Sequence, residues 1–100
     1  MRYFVFFFFL PFASFGQQTI NGTLQHDGLT RSYILYVPAS YTPGTPAPLV
    51  LNFHGYTSNA FEQMFYADFR PIADTAGFLV VHPLGTLDAT GTTYWNSGWG

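Results

Sequence analysis

Two short apolar runs constrain this chain more than any other feature. They are Pro48-Leu49-Val50-Leu51-Asn52-Phe53 and Phe78-Leu79-Val80-Val81-His82-Pro83. Each is bounded by turn formers, and neither alternates with polar residues. Continuous apolar runs of this length predict strands covered on both faces, as in a parallel sheet packed between helices. Between them, Asn59 stands three residues before Glu62, the spacing at which an N-cap side chain and a returning glutamate satisfy the first free amides of a helix. Phe61, Met64, Phe65 and Phe69 then recur at helical spacing and predict a buried stripe. Pro71 is expected to break this helix, and a second helical turn over 72–76 is expected to end at Gly77. Strand, helix and strand in this order predict a parallel pair joined by a right-handed crossover.

Upstream, residues 19–26 alternate loosely and 30–37 alternate clearly. Asp27-Gly28 between them suits a tight hairpin turn, because both residue types tolerate positive φ. Tyr33, Leu35 and Val37 fall on one face of the second strand, with Ile34 and Tyr36 on the other. Pro38, Pro43, Pro46 and Pro48 with Gly44 make 38–48 a surface loop. Residues 84–100 read as a long irregular loop carrying Trp95 and Trp99. The expected fold class is α/β: an antiparallel hairpin followed by a parallel strand–helix–strand unit.

Composition bounds the function classes. Seven of the twelve phenylalanines lie within residues 1–15, after Arg2 and before the small residues Ser14 and Gly16. A positive start, a short apolar stretch and small residues before a cut are the parts of a secretory signal peptide. The domain reading is therefore a signal peptide over 1–16 and one domain over 17–100, with Gln17 as the mature start. The alternative, a membrane anchor, needs ~20 apolar residues, and Pro11 interrupts this run, so no stable membrane insertion is expected after cleavage. Secretion, extracellular or periplasmic, is the expected localisation. Residues 17–100 hold two arginines, no lysine and five carboxylates. Such a balance offers no basic footprint to nucleic acid. Cysteine is absent, so packing has to stabilise the fold without disulfides.

The residues most suited to chemistry are His54-Gly55-Tyr56, placed where the first parallel strand ends and a helix is about to begin. Open α/β sheets bind ligands at the carboxyl ends of their strands. Amides ahead of a helix N-terminus can serve as an oxyanion hole, which needs fixed donors aimed at developing negative charge. A purely structural role, with Gly55 turning the chain and His54 filling space, stands beside that reading. Trp95 and Trp99 suit stacking on a sugar or an aromatic acyl group, or packing of their own loop. His26, His54 and His82 have no zinc-ligand spacing, so no metal or other cofactor is expected. Asp68 and Asp74 do not share a helical face and read as solvated or helix-end charges. Asn21-Gly22-Thr23 matches a glycosylation acceptor.

Four stretches, taken in order, resemble the secreted polyhydroxybutyrate depolymerase-like esterases, a branch of the α/β-hydrolases that includes feruloyl and acetyl xylan esterases. They are Arg31-Ser32-Tyr33 through Tyr36-Val37-Pro38, Pro48-Leu49-Val50-Leu51 through His54-Gly55, Ile72-Ala73-Asp74 through Gly77 to Val81 with Pro83, and Trp95-Asn96 with Gly98. The resemblance implies the N-terminal part of an α/β-hydrolase fold in a serine esterase acting on polymeric or small ester substrates, either polyesters or acyl groups on plant polysaccharides. It implies that the Tyr56 backbone amide is one oxyanion donor, that His54 and Gly55 line the site, and that Trp95 and Asn96 lie beside the acyl pocket. His82 and Leu84 depart from the residues common in that family and inherit no role. Ser14, Ser32, Ser40, Ser58 and Ser97 all lack the Gly-x-Ser-x-Gly setting of the nucleophile, so the triad is expected outside these 100 residues. A non-catalytic carbohydrate-binding module, or a peptidase of the same fold, remains open on the residues alone.

Overall fold

The computed structural model describes residues 16–97. The expected signal peptide, except for Gly16, and Gly98 and Trp99 lie outside the described residues. Strand β1 (Gln18–His26) and strand β2 (Leu29–Val37) form the expected antiparallel hairpin, pairing from Gln18 with Val37 to His26 with Leu29. Asp27 and Gly28 both take positive φ, 51° and 76°, as a two-residue primed turn requires. Opposite Gly22 lies Tyr33, whose ring covers the glycine so closely that a Cβ there would overlap it.

Strand β3 (Leu49–Leu51) is followed by helix α1 (Ala60–Tyr66), helix α2 (Arg70–Ala76) and strand β4 (Leu79–Pro83). Strand β3 pairs parallel with β4, and β4 pairs antiparallel with β2, giving the order β1-β2-β4-β3. The helical region divides earlier than Pro71. Helix α1 stops at Tyr66, and Pro71 falls in the first turn of α2, where its missing amide costs nothing. Asn59 caps α1 as its spacing predicts, its side chain accepting from the Glu62 amide at 2.8 Å. Gly77 ends α2 with φ 80°.

One burial expectation fails. Of the stripe expected over 61–69, only Met64 is buried; Phe61 and Phe65 on α1, and Phe69 just before α2, are exposed. Phe61 and Phe65 instead pack on each other, and the Arg70 guanidinium lies 4.8 Å from the Phe65 ring centre. Among the described residues the β3–β4 strands are covered on one side only, the other lacking the cover that further helices would give. Tyr36, Val80, His82 and Ala73 are buried on the helix side, whereas Leu49 and Leu51 on the other side are 53% and 54% exposed. They line an open apolar trough of about 530 Å³ with Leu35, Leu79, Val81 and Leu84.

Residues 84–97 are more ordered than a plain loop. Strands β5 (Thr86–Leu87) and β6 (Thr93–Tyr94) form a small antiparallel ribbon. Its turn is organised by Asp88, whose Oδ1 accepts from the Thr90 amide, the Thr90 hydroxyl and the Thr92 amide. These donors, the Thr90 hydroxyl foremost, hold the carboxyl at a pKa of about 2. Among the described residues no helix is long and apolar enough to cross a membrane.

Candidate active site

The site is built at the carboxyl end of β3. Asn52 continues the strand's ladder, its amide donating to Val81 O at 2.9 Å. Its side chain is buried and ties the strand to α1. The Asn52 Nδ2 group donates to Ala67 O at 2.9 Å, and Oδ1 accepts from Gln63 Nε2 at 2.8 Å. The chain beyond this point therefore leaves the sheet from a fixed place relative to the helix.

His54 follows, and its ring is 2% exposed. The Nε2 atom accepts from the Gly85 amide at 2.9 Å, so the ring proton sits on Nδ1 and is donated to Gly55 O at 2.7 Å. Both ring nitrogens are engaged by backbone groups of the chain. The His54 ring acts inward, on the turn. Trp95 completes the arrangement. Its indole N–H donates to His54 O at 2.7 Å, with its ring 4.8 Å from that of His54 and 5.1 Å edge-on from Phe53. It packs against Phe53 and His54 and is half-buried. Asn96 is exposed at the surface.

Gly55 to Ser58 form a turn closed by the Ser58 amide on Gly55 O at 3.2 Å. Among the described residues the Tyr56 amide donates to no protein acceptor, while the Thr57 amide is taken by Thr93 O at 3.0 Å. The Tyr56 ring is exposed, with its hydroxyl donating to Asp88 Oδ2 at 3.2 Å. Beside the turn is an open notch of about 440 Å³ lined by Gly55, Ser58, Glu62, Gln63 and Tyr66. Gly55 has no neighbour within 4 Å of where a Cβ would stand, and its φ lies outside the left-handed region. Its lack of a side chain serves neither packing nor backbone strain inside the described residues. Gly85, which sequence reasoning missed, is the tight position: a Cβ there would overlap Tyr94 O and come within 3.3 Å of His54 Nε2.

Among the described residues no group of three metal-ligating side chains converges. Tyr36 and Asp74 form a separate polar contact where the buried ring of Tyr36 reaches the surface, the phenol donating to the carboxylate at 2.7 Å. Burial, followed by that bond, pushes the phenol up to about 12. Asp68, in the link between the two helices, is held at about 2 by its paired hydrogen bonds from Arg70.

The described residues superpose on a solved ferulic acid esterase with a TM-score of 0.58 at 17% identity, over 70% of this chain and 31% of that one. The fold is shared with part of an esterase. In sequence, the chain is 32% identical over 79 residues to a bifunctional acetylxylan esterase/xylanase of Neocallimastix patriciarum, a match covering 79% of this chain and 11% of that protein. The chain thus spans a minor part of either protein's length. No family model matches it.

Proposed function

We propose that this chain forms the N-terminal portion of the α/β-hydrolase domain of a secreted serine esterase, of the feruloyl esterase-like and polyhydroxybutyrate depolymerase-like kind. The observation that carries the reading is the Tyr56 amide. It is a donor without a protein acceptor among the described residues, at the end of a parallel strand, beside an open notch. Oxyanion stabilisation needs such a donor, held before the charge develops. The activities by which the two similar proteins are named support acyl groups on plant polysaccharides as the first substrate class to try, with polyesters as the second. The serine attacks the ester carbonyl, the Tyr56 amide takes up part of the negative charge on the carbonyl oxygen, the alcohol leaves, and water releases the acyl-enzyme. The nucleophile, acid and base belong to a segment outside residues 1–100.

The test uses the protein encoded by the complete open reading frame, assayed on 4-nitrophenyl acetate, acetylated xylan and a feruloyl ester. The space around Gly55 lets Gly55→Val fold, yet its side chain would stand where an acyl oxygen must approach. Turnover is expected to fall at least about a hundredfold, the loss of one oxyanion donor, with the circular dichroism spectrum unchanged. A folded Gly55→Val with near-normal turnover would move the oxyanion hole elsewhere. For secretion, N-terminal sequencing of exported protein is expected to begin at or near Gln17; an intact Met1 there would refute the signal peptide.

A further inference from the structure

The turn that presents Tyr56 is strained, and one residue of the ribbon holds it from both sides. In a turn with positive φ only at its third residue, glycine or asparagine is favoured at that position. Here it is Thr57, with φ 76°. A β-branched side chain in left-handed backbone is an outlier that persists only where its surroundings impose it. Two hydrogen bonds flank Thr57, and both end on Thr93. The Thr57 amide donates to Thr93 O at 3.0 Å, and the Thr93 hydroxyl donates to Ser58 O at 2.6 Å. Relaxation of Thr57 to negative φ would turn over the Tyr56–Thr57 peptide, breaking the first bond and releasing the backbone that adjoins the Tyr56 amide.

We propose that Thr93 is a positioning residue for this turn: its carbonyl and hydroxyl together hold Thr57 in left-handed backbone and so fix the direction of the Tyr56 amide. The proposal rests on the esterase reading above. It assigns Thr93 no contact with substrate; the effect is on the donor's aim, so it belongs to turnover and not to ground-state binding.

The experiment compares Thr93→Val, Thr93→Ser and Thr93→Val with Thr57→Asn in the protein from the complete reading frame, on 4-nitrophenyl acetate. Valine keeps the shape and removes the hydroxyl, leaving the Ser58 carbonyl without it. For Thr93→Val, kcat is expected to fall about tenfold, the rate equivalent of one such hydrogen bond, with KM within about twofold. Thr93→Ser is expected to keep wild-type turnover. Thr57→Asn, which tolerates positive φ, is expected to recover most of what Thr93→Val loses. Unchanged kcat in folded Thr93→Val, or an equal loss in Thr93→Ser, overturns the proposal. If Thr93→Val does not fold, Thr57→Asn alone decides: a melting temperature raised by a few degrees with turnover kept supports the strained turn, and a lowered one refutes it. An inactive wild-type protein fails the esterase reading itself. An active wild type with neutral Thr93 variants fails only this inference.

Discussion

The two buried histidines each donate a ring proton to a backbone carbonyl, with different consequences. His54 has a partner on its second nitrogen. His82 does not: its Nδ1–H donates to Ile34 O at 3.2 Å, and Nε2 is buried with no partner among the described residues. Burial first of all pushes the His82 pKa below its ordinary 6.5, and the nearby Arg70 adds to that against the opposing Ile34 bond and Asp68. The sign follows by linkage. The unfolded chain takes up a proton near pH 6.5 while the folded one resists it, so the unfolded state binds more protons as pH falls. The contribution is present above about 6.5 and is lost below it, at up to about 1.4 kcal/mol per pH unit. The urea midpoint is expected to drop between pH 7 and pH 5, and His82→Leu is expected to flatten that slope. An identical slope in the variant would assign the acid sensitivity to other groups. Glycine offers a related contrast. Gly55 is conspicuous in the sequence and sits in open space, whereas Gly85 is inconspicuous and is pressed against Tyr94 and His54. A close approach set by a residue 31 positions away leaves no local trace.

At the scale of elements, what was legible was what short-range chemistry decides. Asp27-Gly28 specifies its turn by its own φ preferences, and the Asn59-to-Glu62 spacing specifies a helix start. Strands β3 and β4 were legible because apolar runs between turn formers have few other uses. The helical stripe misled because periodicity reports a common face and not what covers it: Phe61, Phe65 and Phe69 recur as a core face would, yet they are exposed. The ribbon of β5 and β6 was missed for a different reason. Its strands are two residues long, and its turn depends on the Asp88 carboxylate gathering three donors from Thr90 and Thr92, a pattern that composition reads simply as loop. That ribbon supplies Thr93 and leads to Trp95. The half of the candidate site that came from the strand end was therefore readable, and the half that holds it in place was not.

At the scale of the whole molecule, the helices among the described residues cover one face of the sheet and leave the other bare. Leu49 and Leu51 are about half exposed there, over an open apolar trough of about 530 Å³. Each half-exposed leucine forgoes about 1 kcal/mol of burial, and among the described residues β3 stands at the sheet edge with only β4 beside it. Uncovered apolar faces and unpaired edges are both routes to self-association. Residues 17–100 expressed alone are therefore expected to bind a dye such as ANS, to melt without a sharp transition and to associate with rising concentration. On the proposed function, which places the nucleophile outside these residues, they are also expected to be inactive on 4-nitrophenyl acetate. Leu49→Lys with Leu51→Lys tests the cause, because it makes the bare face polar without touching the Tyr36, Ala73 and Val80 core on the other side. The double variant is expected to associate less and to bind less dye. If 17–100 is instead monomeric with a cooperative melt and no dye binding, the packing of the helices on one face is sufficient, and the leucine face is an ordinary solvent-facing surface.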